Sequence, residues 1–334
     1  MSSKESLFRF GVISDIQYAD IDSAQNFSGT EERDYRGALQ AAKKVFSSWI
    51  QTTQPLSFVC QLGDLIDGQN AGEYGQGLNL EAPQSHEAIK KVMDTWKQSP
   101  FPLYHTIGNH ELYNFSWSEL RQLLNHPLKE DEKVGGCTQK IADQYFYYHF
   151  SPYPGWKVFM LNSYENNVIK PSTDDIKSYT EELLTKKNPN FGAQAPYNFF
   201  EGLKDEDLRY VPFNGGFGRV QLTWLKQELD IVKSKGEQVF IASHLPCYAP
   251  AASLRNVAFD ADELHSLLGE YASHIRVYFA GHRHGGGYAQ DHFGIHHITI
   301  QAPLTHGECA ALVEVYDQSI KVIGVGDHRS YHLV

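Results

Sequence analysis

The stretch FRFGVISDIQ at residues 8–17 decides the fold class, because a short apolar strand leads directly into polar residues. Apolar residues then recur at helical spacing over residues 35–51, which predicts a helix. A second apolar strand over residues 57–62 runs into Gly-Asp. Strands that alternate with helices predict βαβ units, and therefore an α/β (α+β) fold with a central sheet covered by helices.

The alternation continues with a helix over residues 85–97 and a strand over residues 102–107. The second half predicts neighbouring antiparallel strands and a helix, and then a run of further strands. We expect one domain over residues 1–334, with residues 165–216 as an insertion or substrate loop that holds a helix over 174–187. The predicted elements of the second half are strands at 143–150 and 156–162, a helix at 219–235, and strands at 238–243, 275–280, 294–300, 309–315 and 320–325.

Charge and composition exclude several classes of protein. The 334 residues carry 29 Lys and Arg against 40 Asp and Glu, a formal net charge of −11, which argues against binding to nucleic acid or to an anionic membrane. No stretch approaches the ~18–20 apolar residues of a membrane span, and the first residues lack the apolar core of a secretory signal. The four cysteines are scattered. We therefore expect a cytoplasmic protein; the sequence leaves the oligomeric state open, with a monomer favoured.

Five loops that each follow a predicted strand carry oxygen or imidazole side chains. Because ligands of open α/β sheets collect at the carboxyl ends of the strands, these loops are expected to converge. Carboxylates, amides and imidazoles without a thiolate suit a hard or borderline divalent ion such as Mn²⁺, Fe²⁺ or Zn²⁺. The loops are Asp15-Ile16-Gln17, Gly63-Asp64 with Asp67, Gly108-Asn109-His110-Glu111, Ser243-His244-Leu245-Pro246 and Gly281-His282-Arg283-His284.

Spacing within the loops supports the same interpretation. In extended backbone, residues two apart point to one side, so Asp15 with Gln17, and His282 with His284, are predicted to reach one cluster. The glycines that precede three of the candidate ligands are predicted to allow backbone angles that a Cβ would resist, and to let the chain approach the ion closely. Each loop alone also fits a structural interpretation, since an Asp at a strand end is a common cap. The ordered set of five favours a metal site.

The ordered motifs D-x-Q (15–17), G-D-x-x-D (63–67), G-N-H-E (108–111), S-H-x-P (243–246) and G-H-x-H (281–284) closely resemble those of the calcineurin-like metallophosphoesterases. The resemblance covers roughly residues 8–325 and implies a four-layer α/β/β/α sandwich with two metal ions at one end. Most of that superfamily carries His where this chain has Gln17. This Gln, with DYR at 34–36, NGGF at 214–217 and GHRHGG at 281–286, is similar to the manganese-dependent ADP-ribose/CDP-alcohol diphosphatases.

The resemblance implies a ligand set whose seven positions are all filled here, which argues against a non-catalytic relative. An amide oxygen in place of an imidazole hardens one metal position and favours Mn²⁺, with Zn, Fe or Mg as other possible ions. Two such ions also supply the positive charge that an acidic chain needs for binding phosphate. The family pattern implies Asp15, Gln17, Asp64 and His284 on one metal, and Asp64, Asn109, His244 and His282 on the second, with Asp64 bridging.

Two further side chains, His110 and Arg36, are candidates for catalysis. His110 is predicted to steady the phosphoryl oxygens or to protonate the leaving group; the alternative is a hydrogen-bonding neighbour of the ligands. Asp67 is predicted to orient a ligand rather than to bind metal. Arg36 is predicted to grip the second phosphate with its planar fork, and the alternative is a surface ion pair with Glu31 or Glu32.

A nucleoside substrate requires aromatic stacking and a few polar contacts. Candidates lie in the insertion and in the stretch after the His244 loop, although each aromatic side chain also fits core packing. His296 and His297, adjacent on a predicted strand, are interpreted as structural. The substrate-binding candidates are Arg36, Phe199, Phe213, Asn214, Asn256 and Phe259.

These features predict a dimetal hydrolase that cleaves the phosphoanhydride of ADP-ribose and of CDP-alcohols of the CDP-choline type, releasing AMP or CMP and a phosphorylated product. Its partners would be small nucleotide-diphosphate substrates. A phosphomonoesterase, protein phosphatase or phosphodiesterase on the same fold is the alternative, which Gln17 and the NGGF segment disfavour. A nuclease would need a basic stripe. A silent scaffold that binds protein partners would hold little metal and show no turnover.

Overall fold

The computed structural model describes residues 5–26, 29–72, 83–97, 99–124, 146–192 and 198–334. Within these ranges the strands form two six-stranded sheets and one two-stranded ribbon. The strands are β1 Phe8–Ile13, β2 Ala24–Gln25, β3 Glu32–Arg33, β4 Phe58–Gln61, β5 Leu103–His105, β6 Tyr148–Tyr153, β7 Trp156–Met160, β8 Gln238–Ala242, β9 Ile275–Ala280, β10 Gly287–Gln290, β11 His296–Thr299, β12 Ala310–Val315, β13 Ile320–Val325 and β14 Tyr331–Leu333.

Helices flank the two large sheets. Four short 3₁₀ helices are also described, at Gly68–Ala71, Asp205–Arg209, Ala249–Ala251 and Leu254–Asn256. None of the helices in the described ranges has the length and apolar character needed to cross a membrane. The α-helices are α1 Tyr35–Ile50, α2 Ser85–Trp96, α3 Asn109–Asn114, α4 Trp117–Leu123, α5 Asp174–Lys187, α6 Arg219–Lys235, α7 Ala261–Gly269 and α8 Pro303–His306.

The strand order explains how the site loops come together. The first sheet runs β14-β13-β12-β1-β4-β5, and β1, β4 and β5 are parallel neighbours. The second sheet runs β10-β11-β9-β8-β7-β6, and β7, β8, β9 and β11 are parallel. Parallel strands end at the same edge of a sheet, so the loops after them form one surface.

The two large sheets pack face to face. Phe10 of β1 stacks on Phe58 of β4 at 4.6 Å between ring centroids, and it meets Phe240 of β8 and Phe279 of β9 at 5.1 and 6.0 Å. These side chains belong to one buried apolar cluster drawn from both sheets. Burial of such rings stabilises the fold by roughly 1.5–3 kcal/mol each.

Helices cover the outer faces of both sheets. On the first sheet, a Cβ on Gly11 would lie 2.8 Å from the ring of Trp49 in α1, so the small residue admits the helix. On the second sheet, Phe159 of β7 meets Trp224 of α6 edge-on at 5.7 Å. The order helix, sheet, sheet, helix confirms the predicted four-layer sandwich.

Most predicted elements agree with the structure to within a few residues, including the helix over 174–187. The strand predicted at 143–150 is observed over Tyr148–Tyr153, and residues 143–145 lie outside the described residues. The short strands β2, β3, β10 and β14 were not predicted, because they lack the apolar run that identified the others. The organisation as one domain with an insertion remains a prediction.

Candidate metal centre

The polar loops of the two sheets meet in one buried cluster. The backbone N–H of His282 donates to Oδ2 of Asp15 at 2.9 Å. Nε2 of His244 lies 3.3 Å from Oδ2 of Asp64, and Nε2 of Gln17 donates to the same oxygen at 3.0 Å. Side chains from both sheets therefore converge around Asp64, as the sequence predicted.

One half of the cluster contains Asp15, Gln17, Asp64 and His284. Nε2 of Gln17 lies 3.1 Å from Nε2 of His284, which is 3.8 Å from Oδ1 of Asp15. Oδ1 of Asp15 and Oε1 of Gln17 are buried without a hydrogen-bond partner among the described residues. A buried oxygen without a partner is costly, and a bound cation would satisfy both. These residues fit a divalent ion.

The other half of the cluster contains Asp64, His244 and His282. Nδ1 of His244 lies 2.8 Å from the Leu62 carbonyl oxygen, and Nε2 of His282 lies 2.9 Å from Oδ1 of Asn214. Carbonyl oxygens only accept, so these partners assign the ring protons to those two nitrogens. The remaining lone pairs, on Nε2 of His244 and Nδ1 of His282, lie 3.1 Å apart beside the Asp64 carboxylate.

Three acceptor atoms therefore face one another, all within 4.8 Å. Neutral imidazoles in these tautomers place no proton between them and the carboxylate. Hydrogen bonds from the far ring nitrogen to an oxygen are the usual way in which proteins hold metal-binding imidazoles. A second divalent ion fits this half of the cluster.

The pKa values follow from burial and crowding. Burial lowers the pKa of His244, but the Asp64 charge outweighs it and raises that pKa to about 9. Burial raises the pKa of Asp64, but His244 and its neighbours hold it below its usual range. Burial raises the pKa of Asp15 to about 6 and lowers the pKa of His282 to about 3. A proton on His244 thus compensates the Asp64 charge in the metal-free protein, and a cation would replace it.

Asn109 and His110 begin helix α3 at the edge of the cluster. Oδ1 of Asn109 accepts a hydrogen bond of 3.1 Å from the Tyr164 hydroxyl, which leaves its second lone pair available. The backbone N–H of His110 donates to Oδ1 of Asp64 at 2.9 Å. The His110 ring is held by Gly68, whose N–H donates to Nδ1 at 2.8 Å.

Backbone conformation at the site corrects one prediction. Three of the four residues predicted to lie two apart in extended backbone, Asp15, Gln17 and His282, instead have positive φ, so the chain turns them into the cluster. Such angles are costly for residues with a Cβ and are typical of functional sites. The non-glycine site residues in this conformation are Asp15 (φ 53°), Gln17 (φ 45°), Asp64 (φ 58°) and His282 (φ 65°).

The site glycines serve two different purposes. Gly63 has φ 98°, so the predicted conformational reason applies to it. Gly108 and Gly281 are required for space instead, since a Cβ would collide with the Asp64 carboxylate at the first and with the Ser14 hydroxyl at the second. The prediction that all three supply unusual backbone angles was wrong for these two.

Glu111 is a structural member of the site that the sequence did not assign. It is fully buried, and Oε2 accepts hydrogen bonds of 2.7 Å from the N–H groups of Asp64 and Gly108. Oε1 accepts one of 2.6 Å from Leu65 N–H. The carboxylate thus joins the loop after β4 to the start of α3. Its signal was its position three residues after Gly108, in the first turn of a helix.

Two neighbouring arginines, Arg36 and Arg33, are candidates for binding the second phosphate. Arg36 is half exposed, and Nε lies 2.7 Å from Oδ1 of Asp20, while Nη1 contacts Asp22. The ion pairs therefore form with these aspartates rather than with the predicted glutamates, and no described polar contact joins Arg36 to a candidate ligand. Arg33 is the closer cation, since its charge, after burial, lowers the pKa of His284. Nε of Arg33 is buried without a partner in the described residues.

Part of the predicted base pocket lies against the cluster. The Phe213 ring is 6.2 Å from that of His282, and Phe199 and Phe200 meet Phe213 edge-on at 6.3 and 5.9 Å. The Arg255 guanidinium lies 4.6 Å from the centre of the Phe200 ring. These side chains form an aromatic wall beside a candidate ligand.

The other predicted pocket residues have different contacts. Asn214 is buried and contacts His282, while its Nδ2 donates to the carbonyl oxygens of Arg209 and Arg255. Phe259 stacks on Tyr210 at 5.8 Å, and Oδ1 of Asn256 accepts from Ser253 at 2.7 Å. None of the described contacts of Phe259 and Asn256 reaches a candidate ligand. Their substrate contacts remain predictions.

Comparison with known families agrees with this geometry. The family model described as calcineurin-like phosphoesterase matches residues 8–286. The chain belongs to the calcineurin-like phosphoesterase family. This confirms the family predicted from the five motifs.

Curated relatives resemble this phosphoesterase over nearly its whole length. The manganese-dependent ADP-ribose/CDP-alcohol diphosphatase of Bos taurus is 34% identical over 330 residues, covering 97% of this chain and 93% of the relative. The proteins of the same name from Homo sapiens and Arabidopsis thaliana are 33% and 32% identical, covering 97% and 98% of this chain and 92% and 97% of the relatives. The crystal structure of a dimetal phosphatase from Danio rerio matches with a TM-score of 0.87 and 30% identity over 99% of both chains.

Proposed function

We infer that this phosphoesterase is a dimetal hydrolase that cleaves the phosphoanhydride of ADP-ribose and of CDP-alcohols, releasing AMP or CMP and a phosphorylated product. The observation that carries the inference is the convergence of the His244 and His282 rings on the Asp64 carboxylate, with one ligand atom from each residue within 4.8 Å of the others. The curated relatives that carry this activity in their names support the substrate class.

Two divalent ions, manganese by preference, are its cofactors. The donor set supports this preference, since oxygen atoms of Asp15 and Gln17 in one half of the cluster are buried without a hydrogen-bond partner among the described residues. Hard oxygen ligands of this kind suit Mn²⁺. Ions bound there would lower the pKa of a bound water and neutralise phosphate charge. The residues proposed to hold them are Asp15, Gln17, Asp64 and His284 in one half and Asp64, Asn109, His244 and His282 in the other.

His110 is proposed to act on the leaving group. Because Gly68 N–H donates to Nδ1, the neutral imidazole carries its proton on Nε2. That N–H can donate a hydrogen bond to a phosphoryl oxygen or to the oxygen that departs when the anhydride breaks. Oδ2 of Asp67 lies 3.3 Å from Nδ1, and the predicted role of Asp67 in orienting a ligand stays a prediction.

Arg33 and the aromatic wall are proposed to select a nucleotide diphosphate. A guanidinium with an unpartnered buried Nε beside His284 can bind the phosphate that is not attacked. Phe213, flanked by Phe199 and Phe200, offers a surface on which a base can stack. Arg36 remains the candidate predicted from sequence for the same phosphate.

The inference is tested with metal-stripped protein to which Mn²⁺, Mg²⁺ or Zn²⁺ is returned. Substrates are ADP-ribose, CDP-choline, p-nitrophenyl phosphate and bis-p-nitrophenyl phosphate, with nucleotide products separated by chromatography. We expect Mn²⁺-dependent AMP and CMP from the first two and little turnover of the others. Strong turnover of either nitrophenyl ester with inert ADP-ribose would overturn the inference in favour of a monoesterase or diesterase.

A matched pair of variants tests whether the measured turnover comes from this cluster. Asp64→Asn removes the charge at the centre of the cluster and should abolish turnover with every ion. Asp94→Asn, on the exposed face of α2, should leave turnover unchanged. Equal activity in both variants would show that the cluster is not the active site.

Partners and location are proposed from charge. The net charge of −11 supports small substrates rather than nucleic acid as partners. We propose a monomeric, cytoplasmic protein. Size-exclusion chromatography with light scattering tests the first point, and fractionation of cells tests the second.

A further inference from the structure

A second cluster of metal-binding side chain types lies outside the dimetal centre and shares no residue with it. Nε2 of His265 and Nε2 of His297 lie 2.8 and 2.9 Å from the same atom, Oδ2 of Asp291. The three side chains come from α7, from the loop between β10 and β11, and from β11. Their ligand atoms all lie within 4.8 Å of one another.

Asp291 is fixed by its own loop. Oδ1 accepts hydrogen bonds of 3.0 and 2.9 Å from the N–H groups of Phe293 and Ile295, which leaves Oδ2 facing the imidazoles. Burial raises the pKa of Asp291, but hydrogen bonds from His297 and His265 outweigh it and hold that pKa below its usual range. The carboxylate is therefore ionised and aimed at both rings.

The two imidazoles are held by packing. The Tyr248 ring lies 4.9 Å from that of His265 and 4.8 Å from that of His297. Nδ1 of His297 faces Sγ of Cys247 at 3.8 Å. Neither ring needs to rotate to present Nε2 to Asp291, so little ordering is left for a ligand to impose.

We propose that His265, Asp291 and His297 form a third divalent-cation site, of the kind that takes zinc. Two imidazoles and one carboxylate are a common zinc donor set, and such a set favours zinc over magnesium or calcium. The set leaves a fourth position for water at His265, whose side chain is 15% exposed.

The spacing allows an ion with small adjustments. Zinc with ligands at about 2.0–2.1 Å in a tetrahedron places neighbouring ligand atoms about 3.3 Å apart. The contacts of 2.8 and 2.9 Å would open by about half an ångström to admit it. To bind the ion through Nε2, each ring carries its proton on Nδ1, which for His297 is the nitrogen that faces Cys247.

An ion at this site would lie beside the loop that carries His244. Tyr248 and Cys247, which pack on the two imidazoles, belong to the loop that carries His244. Binding would therefore stiffen the support of that loop. Without an ion, the same contacts are a hydrogen-bond network in which Asp291 accepts from both imidazoles.

The test counts zinc rather than turnover. Metal-stripped full-length protein is dialysed against buffered Zn²⁺, and bound metal is measured by atomic emission in the wild type and in His265→Gln, Asp291→Asn and His296→Gln. Asp291→Asn keeps the oxygen that accepts from the loop but removes the anion. His296→Gln is the matched control, because it changes the residue next to His297. The ring of His296 packs on Tyr288.

We expect the wild type and His296→Gln to bind one equivalent more than His265→Gln and Asp291→Asn. Zinc added over saturating Mn²⁺ should also raise the melting temperature of the wild type by a few degrees, and that of His265→Gln by less. Equal zinc content in all four proteins would overturn the proposal and leave a hydrogen-bond network. Because turnover is not the readout, failure here leaves the proposed hydrolase function untouched.

Discussion

Nδ1 of His110 lies 3.3 Å from Oδ2 of Asp67 and accepts a hydrogen bond of 2.8 Å from the N–H of Gly68. Asp67 begins the 3₁₀ helix that contains Gly68, and its Oδ1 accepts from Gln69 N–H at 2.9 Å. The backbone of this short turn therefore holds the His110 ring through Gly68. The ring can serve the reaction only through Nε2, which fixes what a substitution should change.

His110→Gln should lower kcat by about 10²–10³-fold, because the Nε2–H that donates to the phosphoryl or leaving oxygen is lost. Metal content measured by atomic emission should stay at the wild-type value, since the side chain of His110 is not among the proposed ligands. His86→Gln, an exposed histidine on α2, is the matched control and should keep full activity. Full turnover in His110→Gln would remove His110 from the mechanism.

The roles of Arg33 and Arg36 can be distinguished by comparing substrates with one and with two phosphates. Arg33→Lys should lower kcat/KM for ADP-ribose by on the order of tenfold or more, because a planar fork to a phosphate is lost. Arg36→Lys should have little effect, since Arg36 is held by Asp20 and Asp22. A monoester substrate has no second phosphate and should respond to neither. The opposite ranking would favour Arg36, the residue predicted from sequence.

Asn214→Ala should weaken metal binding by about 10–100-fold, because Oδ1 of Asn214 holds the ring of His282 in its ligand tautomer. Activity should return at high Mn²⁺ concentration, which loss of a substrate contact would not allow. Asn256→Ala is the control and should titrate with Mn²⁺ as the wild type does. A raised KM for ADP-ribose at unchanged Mn²⁺ affinity would instead support the predicted substrate contact.

The fold and the ligand types were predictable because both leave local signals. The strand of residues 8–13 shows as an apolar run, and the polar residues at its end follow from where parallel strands stop. Arg33 was missed because the sequence does not reveal which of two nearby arginines brings its charge to bear on His284. The left-handed backbone of Asp15 and Gln17 was missed because only contacts from other strands impose it.

The pairing of Asp291 with His265 and His297 illustrates the same limit. His297 was interpreted as structural from its position on a strand, and nothing in the local sequence joins it to α7. Side chains from distant segments meet only through tertiary packing, which periodicity does not encode. Motif order predicted the first cluster because a family resemblance supplied the long-range pairing.

Phe213→Leu should raise KM for ADP-ribose by about tenfold, because base stacking on an aromatic ring contributes about 1–3 kcal/mol. Metal content should not change, since Phe213 touches the ring of His282 only through packing. Phe259→Leu is the control, because its ring stacks on Tyr210 in the described structure. Isothermal titration with a non-hydrolysed nucleotide checks the difference, and equal affinities would remove Phe213 from the pocket.

We expect the stability of the folded protein to depend on pH through Glu165. Burial, reinforced by the charge of Asp260, raises the pKa of Glu165 from 4.5 to about 8. The side chain is 5% exposed, and its polar contact is a long hydrogen bond of 3.4 Å from Gln221. The folded protein therefore favours the protonated carboxyl. Its stabilising contribution is complete below pH 4.5 and is lost as the pH rises towards 8, because the folded state binds the proton more tightly than the unfolded state.

Glu165→Gln should remove this loss, because the amide resembles the neutral carboxyl in size and keeps an acceptor for Gln221. We expect the variant to gain stability relative to the wild type between pH 5.5 and pH 8.5, by up to a few kcal/mol. Melting temperatures measured at both pH values under saturating Mn²⁺ check it, with the exposed Glu182→Gln as the control. A difference between Glu165→Gln and wild type that stays constant over this range would mean that Glu165 is already ionised at pH 5.5, held so by Gln221.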